Sequence, residues 1–400
     1  MRKNSIKLTS LLLLCVLVLS ACARVPLGGD SQSTLESTSS PDREITSHVE
    51  TTTEADVSTT ELTTPPETTT SPETTTSPET TTSPETTTSP ETTISPETTT
   101  SPETTVPSVT ETEESTAEAE TLPSPELKYE PVEGVTLKTS AEFSFIADAD
   151  SMRVLFTQGD LKKKIYPASI TKLVCALVAL SNADAGVSFT VGSELSLVAY
   201  DASKAGLKKG DVLTLDQLIY ALLLPSGGDA AYTIAVNVGR IMASDSSLTD
   251  AAAADLFVSR MNEFALAIGM TDTVFESPDG YVEGERGGTT LEDMIYLGIY
   301  CAKEKTLHKY TSCYEKTLEL SSGRRLVLKN TNTFVNPSST YYMPEAFGLK
   351  TGNNDKAGKC LITCAEINGR VYVVGIFLSG SSMGRISDTK AAFDLIKTLA

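Results

Sequence analysis

The pattern of apolar and polar positions divides this 400-residue chain into three unequal parts. A basic start (Arg2, Lys3, Lys7) is followed by a mostly apolar run from Leu8 to Leu19. That run is too short for an ordinary membrane span and reads as the core of a secretory signal in residues 1–22. From residue 23 to 130 apolar residues recur at no helical or strand period. Periodicity begins near Ala141. Phe143–Ala147 and Arg153–Phe156 read as strands joined by a turn at Asp148–Ser151, which predicts a hairpin. Ile170–Leu180 is apolar on every face except at Lys172, which predicts a buried helix. Helical spacing follows over Leu215–Leu223, Ala230–Val238, Leu256–Ile268 and Leu291–Lys303. Strand signals return at Gly348–Gly352, Lys359–Ile367 and Arg370–Leu378, the last two joined by Asn368-Gly369. Ser387–Leu399 closes as an amphipathic helix. Strands at both ends with helices between predict an α+β fold. One antiparallel sheet is formed by both chain ends, a helical lobe is inserted, and a cleft lies where the two meet.

Composition changes the picture of the second part. Ser-Pro-Glu-Thr-Thr-Thr repeats at a six-residue period from Ser71 to Val106, with Ile94 and Val106 replacing threonines. Such a stretch has nothing to bury and its regular glutamates repel one another, so residues 23–130 are expected to form a disordered, semi-stiff spacer. At about 3 Å per residue it would reach on the order of 300 Å if extended. The net charge of −20 belongs mainly to this segment, which holds 22 acids against Arg24, Arg43 and Lys128. Because the leader is basic, residues 131–400 are left near −4, with no basic patch and hence no argument for nucleic acid.

Histidine and cysteine narrow the chemistry. The two histidines are His48, in the spacer, and His308, so a histidine-based triad or zinc site would rest on His308 alone. No Cys-x-x-Cys pair is present, and no metal or other cofactor is called for. Cys360 and Cys364 share one face of a strand too far apart to bridge, so they and Cys175 read as buried thiols; a Cys301–Cys313 pairing is left open. The shortage of histidine directs attention to lysine as a base. Ser169 lies three residues before Lys172, about one helical turn away on the same face. Desolvation lowers a lysine pKa, and a neutral amine beside a hydroxyl is a general base beside a nucleophile. Taken alone, the pair is equally a helix-capping serine with a lysine that snorkels to solvent.

Three short motifs stand in order: Ser169-x-x-Lys172, Ser226-Gly-Gly228 and Lys350-Thr351-Gly352. The set resembles the penicillin-binding serine peptidases and β-lactamases. The surrounding text is most similar to the low-molecular-mass D-alanyl-D-alanine carboxypeptidases (peptidase family S11). The likeness shows in Pro167-Ala-Ser-Ile-Thr-Lys172, Leu222-Leu-Leu-Pro-Ser-Gly-Gly-Asp-Ala-Ala231, Ser277-Pro-Asp-Gly280 and Gly348-Leu-Lys-Thr-Gly352. It covers about residues 141–400 and implies a β-lactamase/D,D-peptidase-like fold for a catalytic domain at 131–400. It also implies that Ser169 attacks the penultimate D-alanine of a peptidoglycan stem peptide ending in D-Ala-D-Ala, that Lys172 takes its proton, and that Ser226 relays a proton to the leaving D-alanine. Lys350 would supply positive charge beside the site. Thr351, with Gly352 beside it and with Arg385, would hold the terminal carboxylate, and the backbone N–H groups of Ser169 and Asn353 would bind the oxyanion. β-Lactams are the expected inhibitors. Leu19-Ser-Ala-Cys22 resembles the lipobox of bacterial lipoproteins, which implies a lipid on Cys22 and an enzyme anchored to the outer face of the cytoplasmic membrane, reaching into the cell wall.

The sequence departs from the family pattern at Gly228, where asparagine is usual. On that reading glycine slows the reaction by about tenfold to a hundredfold, and Gly228→Asn is expected to raise the rate, with Asp229 capping the next helix. Two other readings stay open. A β-lactamase would need a deacylating base, for which Glu276 or Glu283 stands as a candidate, and a catalytically weak penicillin-binding sensor would need none.

Overall fold

The computed structural model describes residues 126–133, 136–281, 284 and 286–399. The expected leader with Cys22, the repeats, and Glu283 lie outside these residues. Three strands open the fold: β1 (Lys128–Tyr129), β2 (Phe143–Asp148) and β3 (Arg153–Gln158). A helical stretch follows with α1 (Lys172–Asn182), a small ribbon of β4 (Ser188–Thr190) and β5 (Val212–Thr214), then α2 (Leu215–Leu223), α3 (Gly228–Ala243), α4 (Asp250–Ala267), α5 (Leu291–Lys303) and α6 (Lys305–Thr311). The chain ends in the hairpin β6 (Glu315–Glu319)–β7 (Arg325–Lys329), strands β8 (Ala346–Asn354), β9 (Gly358–Ile367) and β10 (Arg370–Ser379), and α7 (Ser382–Leu399).

The main sheet has the order β1-β3-β2-β10-β9-β8. Its pairs are antiparallel except for β1 with β3. The two chain ends meet at β2 and β10, where Phe143 faces Phe377 and Phe145 faces Gly375. Both faces are covered, which is why these strands read as continuous apolar runs rather than alternating ones. Phe145, Ala147, Cys360, Ile362, Cys364, Val373 and Phe377 enter the large core shared with the helices. Ile146, Leu361, Ala365, Val374 and Ile376 face the other way, onto Ala392, Phe393 and Ile396 of α7. Register is strongly specified, because a slip of one residue would exchange these two sets.

Local signals agree with the elements. Asn368 and Gly369 both have positive φ (52° and 74°), as a tight hairpin turn between twisted strands requires. Thr214 and Gln217 form a reciprocal capping box on α2, and Thr249 and Thr290 cap α4 and α5. No expectation above covers α6, the β6–β7 hairpin or the β4–β5 ribbon, all of them short and half-exposed. It also placed the start of order near Ala141, whereas Leu127 is buried and Lys128–Tyr129 pair with Arg153–Val154. Cys301 and Cys313 are both free, which closes the pairing left open above.

One packing contact yields a stability test. A Cβ on Gly375 would fall 2.1 Å from Cε1 of Phe145, directly across the β2–β10 ladder. Gly375→Ala is therefore expected to destabilise the fold by about 1–3 kcal/mol, read as a lower urea midpoint at unchanged m-value.

Candidate active site

The turn that carries Ser169 is tighter than the sequence suggested. Ala168–Thr171 form a single 3₁₀ turn and the α-helix begins only at Lys172. In 3₁₀ geometry residues i and i+3 eclipse, so the turn brings Ser169 and Lys172 together: Nζ lies 2.9 Å from Oγ of Ser169. The same ammonium donates to the main-chain carbonyl of Asp279 at 2.7 Å. Lys172 is 2% exposed, so it does not snorkel. Burial pushes its pKa below that of an ordinary lysine, opposed chiefly by the negative potential of Asp279 and also by Asp229. Ser169 makes no capping bond in this arrangement, since Pro167 holds the N-terminal position of the turn.

Two other segments press on this turn. In Ser277–Gly280, Ser277 Oγ accepts from Gly280 N (3.1 Å) and donates to Tyr281 O (2.7 Å), and Asp279 Oδ1 accepts from Tyr281 N at 3.0 Å. Gly280 has φ +81°, and a Cβ on it would stand 1.9 Å from Ala168 O. From the sheet, Gly352 approaches so closely that its Cβ would fall 2.8 Å from Pro167 O and 3.3 Å from Ala168 Cβ. Strand β8 and the Asp279 turn thus hold the Ser169 turn from two sides.

The second motif lies at the head of α3. Ser226 is buried with φ 66°, and Gly227, not Ser226, is the N-cap. Asp229 does not cap the helix as the sequence suggested, since the helix already begins at Gly228; it lies in the first turn, where Oδ1 accepts from Ala230 N at 2.9 Å. It also accepts from Ala205, Gly206 and Leu207 N at 2.8, 2.8 and 2.9 Å. Gly228 N donates to Ser203 O at 2.7 Å. The 203–207 loop is therefore clamped onto the motif. The expectation that Gly228→Asn raises the rate meets a steric obstacle: a Cβ there would lie 2.9 Å from Asp279 Oδ2 and 3.3 Å from Ser203 O.

The third motif brings cations together. Lys350 is 1% exposed and donates to Thr351 O at 2.9 Å. Burial, the Lys172 ammonium and the Arg385 guanidinium, in that order, hold its pKa far below the usual lysine range. Thr351 Oγ1 shares a 2.5 Å hydrogen bond with Thr331 Oγ1. Arg385, in the first turn of α7, is no free surface residue. Its Nη1 donates to Gly352 O (3.3 Å) and Cys360 O (3.1 Å), and its Nε is buried without a partner. Asn353 Oδ1 accepts from Lys359 Nζ at 2.6 Å. Among the described residues no carboxylate forms a salt bridge with Lys172, Lys350 or Arg385.

The remaining candidates fall elsewhere. His308 turns Nε2 toward Cys301 O at 3.2 Å and packs on Phe347. Glu276 pairs with Arg286 at 3.5 Å. Asp279 and Gly280, within the Ser277–Gly280 motif, and Thr331 have no role in the sequence-based expectations above. A Pro-Asp-Gly turn is legible in sequence, whereas the turn against which it packs is not.

A family model for D-alanyl-D-alanine carboxypeptidases, peptidase family S11, matches residues 131–380. The D-alanyl-D-alanine carboxypeptidase of Streptomyces sp. strain K15 is 32% identical over 228 residues, covering 55% of this chain and 75% of that protein. DacF of Bacillus subtilis, also a D-alanyl-D-alanine carboxypeptidase, is 24% identical over 249 residues, and the match spans 59% of its length. The crystal structure of the Streptomyces K15 DD-transpeptidase superposes with a TM-score of 0.58 at 29% identity, covering 65% of this chain and 98% of that one. Penicillin-binding protein D2 of Listeria monocytogenes, solved with ampicillin bound, shares the fold at a TM-score of 0.53. With the match extending over more than half of the sequence, and with the serine and lysine of the first motif 2.9 Å apart, the chain belongs to the D-alanyl-D-alanine carboxypeptidase family of serine peptidases.

Proposed function

We propose that this protein is a serine D-alanyl-D-alanine carboxypeptidase that removes the terminal D-alanine from peptidoglycan stem peptides. The observation that carries the reading is the buried Lys172 ammonium group 2.9 Å from Ser169 Oγ, with its proton affinity lowered by burial. In its neutral form Lys172 takes the Ser169 proton as Oγ bonds to the carbonyl carbon of the penultimate D-alanine. The backbone N–H groups of Ser169 and Asn353 receive the oxyanion, where each well-placed donor is worth about 3 kcal/mol. Collapse breaks the C–N bond, and the departing amine takes a proton that reaches it through Ser226. Water then attacks the ester, its proton passes to Lys172, and Ser169 is restored. The scissile bond is one residue from a free carboxylate. The buried Lys350 amine and the half-buried Arg385 guanidinium, without a carboxylate partner among the described residues, suit that anion, whose charge would favour the protonated form of Lys350, with Thr351 Oγ1 donating beside them. β-Lactams would acylate Ser169 by the same attack.

The test is D-alanine release from an acylated Lys-D-Ala-D-Ala peptide, with intact mass after penicillin treatment. Release together with a stoichiometric adduct is expected. An adduct without release from peptide would leave a penicillin-binding sensor, and rapid turnover of penicillin would make it a β-lactamase.

Family members act on the cell wall, so the enzyme works outside the cytoplasm. Among the described residues no helix is long and apolar enough to cross a membrane. We assign the anchor to a lipid on Cys22, with residues 23–125 as the tether. Cys22→Ser should move most of the protein from the membrane fraction to the medium, because the acyl chains on one cysteine carry the attachment. Unchanged partitioning would rule the lipid out.

A further inference from the structure

Asp279 combines three features that the reaction above does not use. It is a carboxylate only 3% exposed. Its own carbonyl oxygen is the second acceptor of the Lys172 ammonium, at 2.7 Å. Its Oδ2 occupies the space directly over Gly228, 2.9 Å from where a Cβ would stand. The other oxygen is fixed by Tyr281 N at 3.0 Å, and Gly280 locks the turn against Ala168. A short aspartate side chain held at both ends has little freedom to retreat, so any side chain at position 228 would compete with it.

Resting on the serine–lysine reading above, we propose that Asp279 is the positioning residue for Lys172. Its carbonyl aims the ammonium group at Ser169, its carboxylate supplies the polar side chain between the second motif and the lysine, and residue 228 is glycine to admit that carboxylate. The groups facing Lys172 are Asp279 from its turn, Asp229 from the head of α3, Cys175 on α1 itself and Lys350 from β8, which is in turn faced by Arg385 from α7. Burial pushes the Cys175 thiol up, so it carries no charge near neutral pH. Asp279 is first among the groups that restore proton affinity to Lys172, against the larger effect of burial. The sign follows: removing its charge lowers the lysine pKa further, so the neutral base appears at lower pH.

The experiment uses the intact protein and two readouts. One is the second-order rate of Ser169 acylation by penicillin across pH; the other is the Lys172 Nζ titration by NMR in ¹⁵N-lysine-labelled protein, assigned with Lys172→Arg. Asp279→Asn keeps the shape and an acceptor for Tyr281 N. It should shift the acid limb of acylation and the Lys172 midpoint together to lower pH, by about 0.5–1 unit for one charge at this range, with thermal stability nearly unchanged. Gly228→Asn alone should slow acylation by about tenfold or more. Adding Asp279→Ala to Gly228→Asn should recover much of that loss, since the new side chain then has room. An unmoved midpoint in Asp279→Asn, or a double variant that simply multiplies the two losses, overturns the proposal. If the wild-type protein neither binds penicillin nor releases D-alanine, the functional reading fails, and the NMR titration still decides the role of Asp279.

Discussion

Ser169→Ala is expected to abolish covalent labelling by penicillin, lowering the acylation rate by about 10⁴-fold or more while leaving the fold in place. The two halves of that result come from one geometry. The hydroxyl is the atom that would carry the acyl group, and Lys172 Nζ at 2.9 Å is the base proposed to make it nucleophilic. Yet the hydroxyl caps no helix, and Lys172 keeps its 2.7 Å bond to Asp279 O when the hydroxyl is gone. The stability change should stay within about 1 kcal/mol. Intact mass and a thermal melt on the same sample check both. Labelling that persists in Ser169→Ala would remove the assignment of the nucleophile.

Gly280→Ala is expected to damage both stability and activity. Its φ of +81° disfavours any Cβ, and the Cβ would lie 1.9 Å from Ala168 O and 2.7 Å from Thr171 Oγ1. The nearest of these is a backbone atom of the turn that carries Ser169, so relief requires the turn itself to move. A cost of about 2–4 kcal/mol is expected from strain and overpacking combined. A displacement of about 1 Å at Ser169 would slow acylation by a further hundredfold. Gly210→Ala provides the comparison. Its φ is +91° but nothing lies within 4 Å of the added methyl, so only the backbone cost of about 1 kcal/mol should appear, with acylation unchanged. Urea midpoints and acylation rates of the two variants separate the effects. If Gly280→Ala behaves like Gly210→Ala, the turn is not the support argued here.

Much of this was legible in the residues alone. An apolar helix interrupted by one lysine, a histidine-poor composition and three ordered motifs pointed to the serine–lysine chemistry, because burial of a charge is a local and visible anomaly. Runs of apolar residues at both ends predicted the strands that meet at Phe143–Asp148 and Arg370–Ser379, since a sheet covered on both faces leaves a continuous signal. The six-residue repeat has nothing to bury, and it lies outside the described residues.

What the sequence left undecided depended on partners far apart in the chain. Position 228 looked like a deficit because a glycine codon carries no record of its neighbour. Only the folded chain puts Asp279, more than fifty residues away, into the space beside it. The 3₁₀ form of the Ser169 turn was equally hidden, because it is fixed by Gly280 on one side and Gly352 on the other. Nothing in the sequence shows Arg385 reaching the sheet, where it bonds the carbonyls of Gly352 and Cys360 in the folded chain. Local pattern determines which segments are helix or strand and which residue types are out of place. Close packing in three dimensions, where a contact of 2–3 Å admits one side chain and excludes another, decided how those residues make a site.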